Sequence, residues 1–174
     1  MASALAVGIA GCPKDEGIQA APMDAGPSKD EQAVVRILET LADRLLPADE
    51  DGPGARALGI STFFARVLQD DRLAAVHPLL RRGALFLASA ALAEQKRPFV
   101  DLSQQAQDDL IARLADNKMR PDGFSGPTFV RIALALTLEG ALGDPRHGGN
   151  KGGAGWKMVG FSPDGRAAAL KVVP

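Results

Sequence analysis

Residues 128–142 read "TFVRIALALTLEGAL", and this stretch decides the fold. Only Arg131 and Glu139 carry charge in it. An apolar run of this length, without strand-like alternation, predicts a helix over Thr128–Leu142 that the rest of the domain largely encloses.

Four more helical patterns precede it. Ser28 and Glu31 make an S-x-x-E capping box, in which each side chain can satisfy an orphan backbone N–H. Val34, Leu38, Leu41 and Leu45 follow at helical spacing, with Ile37 beside them, and Pro47 ends the element. The acidic loop "PADEDGPGA", Pro47–Ala55, fails as a calcium loop. Pro53 stands at the third ligand position and Ile60 at the closing Glu. A second helix is expected over Ala55–Leu68, with Ile60, Phe63, Phe64, Val67 and Leu68 on one face. A third is expected over Arg72–Lys96, kinked or restarted at Pro78. Its second half, "GALFLASAALA", is apolar on nearly all sides and should be buried. A fourth, Ser103–Leu114, is capped by Asp101 or Ser103 and buries Leu110, Ile111 and Leu114, with Asp108 and Asp109 solvated. "WKMVGF" and "LKVV" near the end could form short extended pieces. The fold class is therefore mainly α: about five helices in one compact domain, a Gly-rich C-terminal loop, and little or no strand.

The chain has 174 residues, 46% hydrophobic and 24% charged, which suits one soluble domain with a core of its own. Net charge is −1, without the basic patch that nucleic acid requires. Two histidines, His77 and His147, a single cysteine, Cys12, and no tyrosine leave few parts for a triad or a zinc site.

The N-terminus reads "ASALAVGIAG" before Cys12. This short apolar run matches the h-region of a signal peptide, and Ile9-Ala10-Gly11-Cys12 resembles a bacterial lipobox. The expected organisation is a signal peptide over 1–11, with its basic n-region apparently truncated, and a lipidated Cys12. A disordered tether over 12–27 and a helical domain over 28–174 complete it. The tether, rich in Pro, Gly, Ala and Asp, has too little apolar surface to order itself.

Beyond Leu142 the chain continues "GDPRHGGNKGGAGWKMVGF". No nucleotide motif fits: Met158 stands where a Walker loop or a dinucleotide fingerprint needs its next conserved residue. Asp144 and His147 lack the further ligands of a zinc site. Asp144 and Pro145 suit a turn. The glycines permit close backbone approach, Asn150 offers donors and acceptors, and Trp156 offers a large anchor with one polar handle. Physics alone leaves two readings open, a partner-facing loop or a lid whose Trp plugs the domain's own core.

The ordered run Glu139-Gly140, Asp144-Pro145, Gly148-Gly149-Asn150, Gly155-Trp156-Lys157 and Gly160-Phe161 resembles the C-terminal signature of the gluconate 2-dehydrogenase subunit 3 family. "ADRLLPADEDGPGA", Ala42–Ala55, resembles its other characteristic stretch, and the likeness spans about residues 30–162. The resemblance implies a small subunit with no catalytic centre or cofactor of its own. Its partner would be a large FAD-dependent subunit of the glucose-methanol-choline oxidoreductase type, with a multihaem cytochrome c in some complexes. It implies oxidation of sugars, sugar acids or polyols on the periplasmic face of the membrane, and export of the folded flavin subunit with the small one. Two departures stand out: a lipobox replaces the usual cleavage site, and no twin arginine stands ahead of the apolar run in the N-terminal segment. His147 stands where Tyr is common.

On this reading Asp144, Pro145, Gly148, Gly149, Asn150, Gly155, Trp156 and Lys157 face the partner. Glu139, a carboxylate in an apolar helix, is expected to accept hydrogen bonds from the glycine loop and fix its shape. The second reading is a free-standing periplasmic lipoprotein that assists folding or binds a ligand.

Overall fold

The computed structural model describes residues 28–163. The signal segment, Cys12, the tether and "LKVV" lie outside the described residues. The described residues form six α-helices and no strand: α1 (Lys29–Leu45), α2 (Ile60–Val67), α3 (His77–Gln95), α4 (Gln104–Ala115), α5 (Gly126–Leu142) and the short α6 (Ala154–Met158).

α1 starts where the sequence says it should. The Ser28 hydroxyl accepts from the Glu31 backbone N–H at 3.2 Å. Only this half of the capping box forms, because the Glu31 carboxylate turns to Arg81 on α3, 2.9 Å away. Val34, Ile37, Leu38 and Leu41 line the buried face, and α1 touches α2, α3, α4 and α5. A guanidinium–carboxylate fork ties α1 to α4: Arg44 donates to both oxygens of Asp108, at 2.7 and 2.9 Å. Asp109 pairs with Arg113 at 3.1 Å, so these two carboxylates are ion-paired and not merely solvated.

Two helix starts fall well away from where the sequence pattern put them. α2 begins at Ile60, because the chain first turns over residues 55–59 and passes through a left-handed Gly59 with φ 80°. α3 begins at His77, not Arg72. Pro78 occupies its first turn, where a missing N–H costs nothing, and no kink results. Arg72 instead belongs to a 3-10 turn, Asp71–Leu73, capped by Asp70. The His77 ring nitrogen lies 2.7 Å from the Val67 carbonyl and joins the two helices. α4 starts as expected, with the Ser103 hydroxyl accepting from the Ala106 N–H at 3.3 Å.

Phe64, Phe99, Phe129, Leu38, Leu80, Leu87, Leu110 and Leu114 fill the core and are essentially inaccessible. Phe124 packs edge-on against Phe86 and Phe129, at 5.9 and 6.2 Å between ring centres. Neither apolar helix is enclosed as fully as its composition suggests. α3 buries Leu80, Ala84 and Leu87 but leaves Leu85 and Leu92 exposed. α5 buries Phe129, Val130, Ala133 and Leu136 but turns Arg131, Leu134, Leu138 and Glu139 to solvent.

Candidate functional site

The last turn of α5 leaves carbonyl oxygens without helical partners. The segment after it folds back to satisfy them. Gly143 N–H closes on the Glu139 carbonyl at 2.7 Å. Asp144 caps a 3-10 turn, Pro145–His147, its carboxylate accepting from the Arg146 N–H at 2.9 Å and pairing with that guanidinium at 3.0 Å. Arg66 of α2 holds the same turn by donating to the Arg146 carbonyl. Gly148 then reverses the chain at φ 101°.

Asn150 is the centre of the loop. It is fully buried. It sits in the left-handed region at φ 47°, which Asn tolerates better than most residues. Its amide nitrogen donates to the Gly143 carbonyl at 2.7 Å, and its amide oxygen accepts from the Gly155 N–H at 2.8 Å. Lys151 N–H reaches the Leu58 carbonyl at 3.0 Å and pins the loop to the turn before α2. Gly149 and Gly155 press directly on α5: a Cβ at either would collide with the carbonyl oxygen of Gly140 or Ala141. These two glycines are therefore used inward, for close approach to the protein's own helix.

Trp156 completes the closure from α6. Its indole N–H donates to the Leu142 carbonyl at 2.7 Å. Its ring stands edge-on to Phe161, 5.3 Å between centres, and the side chain is half-buried. "WKMVGF" is thus helix and turn, not an extended piece.

The structure redistributes the expected roles. Asn150, Gly149 and Gly155 are buried and hold the loop, so they present no side chain to a partner. Asp144, Pro145 and Gly148 are partly exposed, and Lys157 is exposed. Glu139 does not support the loop. Its side chain is exposed, and among the described residues no hydrogen bond or ion pair reaches its carboxylate. It lines instead a cleft of about 510 Å³ with Phe63, Arg66, Val67, Asp70, Arg72, Leu73 and His147. The Arg72 guanidinium there, hydrogen-bonded to Asp70, holds that carboxyl down to about 2. His147 is exposed at the end of the 3-10 turn. No cluster of three or more metal-ligating side chains exists among the described residues.

One group escaped the sequence reading. Leu134 and Leu138 on α5, with Val159 and Phe161 after α6, are large apolar side chains left 37, 41, 47 and 53% exposed. The spacing of Leu134, Leu138 and Leu142 along one helix face carried the signal.

The described residues form an all-α domain in which a glycine-rich loop caps the end of α5. A protein-family model, gluconate 2-dehydrogenase subunit 3, matches residues 32–165, and the chain belongs to that family. A search of curated proteins and of solved structures found no match.

Proposed function

We propose that the chain is an accessory, non-catalytic small subunit of a dehydrogenase complex. In this reading it docks and stabilises an FAD-containing catalytic subunit of the glucose-methanol-choline type and assists its export. Flavin and, where present, haem c reside in the partner subunits, and no residue of this chain is assigned to hold either. The complex oxidises a sugar, sugar acid or polyol on the periplasmic side of the membrane. Family membership over nearly the whole described domain is the observation that carries the reading. The capped loop supports it: Trp156 and Lys157 are presented on a backbone locked at both ends, and rigid presentation lowers the ordering cost of binding.

In the same reading Cys12 bears a lipid. Each buried CH₂ contributes about 0.8 kcal/mol, so a diacylated cysteine holds a protein on a membrane. Among the described residues no helix is long and apolar enough to cross one.

The test is isolation of the tagged full-length chain in mild detergent from cells expressing its operon. Flavin and haem absorbance are then read across the eluted peak. Co-elution of a flavoprotein is expected. A clean preparation that carries neither chromophore would overturn the subunit reading and favour the free-standing lipoprotein.

A further inference from the structure

We propose that the outer face of α5, together with the Trp156–Phe161 corner, is the surface that seats the catalytic subunit. The inference rests on the subunit reading above and names the residues that serve it.

The face is continuous. Leu134, Leu138 and Leu142 succeed one another along α5 at the i, i+4 spacing that makes neighbours on a helix. Leu142 then shares a hollow of about 390 Å³ with Trp156, Val159 and Phe161. A second hollow of about 400 Å³ lies between Pro145, Gly153, Trp156, Lys157 and Phe161. Trp156 and Phe161 line both, so the aromatic pair forms a ridge between two depressions. Such relief, with a Trp at its centre and large apolar side chains left open, is how interface hot spots are built. Large exposed apolar patches on a folded domain mark interaction sites.

Charge and extent point to the kind of occupant. Arg131, Glu139 and Lys157 stand exposed around the face, and no ion pair engages them among the described residues. A rim of both signs fits a protein surface with complementary charges. A lipid surface would call for a cationic rim, and here a carboxylate interrupts it. A second copy of this chain fits poorly. Antiparallel pairing of two α5 helices about Ala135 would set Arg131 against the copy's Glu139 and cover the leucines. It would leave the aromatic ridge, beyond the helix end, without an apolar counterpart. A standard interface takes about 800 Å² per partner. Covering both the leucine stripe and the ridge requires one larger, two-lobed surface.

α3 supplies the internal comparison. Leu85 and Leu92 are also exposed, and Leu92 lines a smaller groove of about 180 Å³, but no exposed aromatic stands there. The test uses the tagged full-length chain co-expressed with the operon's flavoprotein. Leu138→Glu with Phe161→Ser is compared with Leu85→Glu and Leu92→Glu, and Val159→Glu serves as a milder second variant on the face. Circular dichroism and melting of each variant are measured alongside. The expected result is at least a tenfold loss of co-eluting flavin for both face variants at unchanged melting, with normal recovery for the α3 variants. Equal recovery from well-folded face variants would overturn this assignment and leave the subunit reading intact. No flavoprotein with the unaltered chain would remove the subunit reading and this one with it. A chain that sediments as a dimer, becomes monomeric in the face variants, and still recovers flavin would assign the face to a second copy instead.

Discussion

Trp156 donates its indole N–H to the carbonyl of Leu142 at 2.7 Å, and this single bond makes the largest side chain of the loop a cap on the helix before it. The Trp is neither a free anchor nor a core plug. One edge is committed to α5, and the rest is shared between Phe161 and two surface hollows. Trp156→Phe keeps a ring against Phe161 and deletes the donor. A lost hydrogen bond of this kind costs about 1 kcal/mol. Amide exchange should rise over residues 153–161 and stay unchanged in α1 and α4. Uniform exchange before and after the substitution would mean that the cap carries no energy.

Asn150 is worth more. Both ends of its amide are engaged in a buried site, and each deleted partner leaves a backbone group unsatisfied at about 1–3 kcal/mol. Asn150→Ala should lower the denaturation midpoint at constant slope, equivalent to about 2–4 kcal/mol. Asn150→Asp should do nearly the same, because a carboxylate cannot donate to the Gly143 carbonyl. Glu139→Gln, at an exposed side chain, should stay within about 0.5 kcal/mol of the unaltered protein. The reverse ranking would restore Glu139 as the support of the loop.

How much of this was legible follows from range. α1 and α4 carry their own caps, Ser28 and Ser103, and local signals placed both. The start of α2 depends on distant bonds, Ala55 N–H to the Leu46 carbonyl and Lys151 N–H to the Leu58 carbonyl, which no local pattern contains. α6 forms where Trp156 is tethered to Leu142, fourteen positions away, and a five-residue stretch that itself contains Gly155 carries no helical signal alone. Asn150 was readable in principle. Among glycines that supply positive φ, Asn is the next residue to tolerate it, and such a position points inward as easily as outward. The site's apolar face was hidden for the opposite reason. Leucines left at the surface look, in sequence, like leucines that serve the core.

Acid should act on the α2–α3 turn. Arg72 and the Arg72 backbone N–H hold the Asp70 carboxyl at about 2, below the ordinary value of 3.8. A depressed carboxyl contributes stability that is present above its unfolded pKa and is lost as pH falls through the folded one. The window here is therefore about pH 4 down to 2. Arg72 is solvent-exposed, so global stability at neutral pH should barely respond to Arg72→Ala. The Asp70 carboxyl titration, followed by carbon NMR, should move up toward the ordinary value in that variant. A midpoint still near 2 would mean that something other than Arg72 depresses it.

α5 offers the sharpest separation of folding from association. Phe129 and Leu134 are five residues apart on the same helix, yet Phe129 is inaccessible and Leu134 is 37% exposed. Phe129 meets Phe124 edge-on and presses against α3 at Gly83, where not even a Cβ would fit. Phe129→Ala removes a packed ring and leaves a cavity, which costs about 3–5 kcal/mol. At a melting slope of roughly 2–4 °C per kcal/mol for a domain of this size, the isolated protein should melt well over 5 °C lower. Leu134 has solvent on one side, so Leu134→Ala opens no closed cavity and should cost about 1 kcal/mol or less. Thermal melting of the two variants, with and without co-expressed flavoprotein, completes the comparison. With the partner bound, the Leu134 variant should gain less in melting temperature than the unaltered chain does, because its loss falls on the contact. If Leu134→Ala instead destabilised the isolated domain as much as Phe129→Ala, the outer face of α5 would be part of the fold's own energetics, and no partner would be needed to explain its leucines.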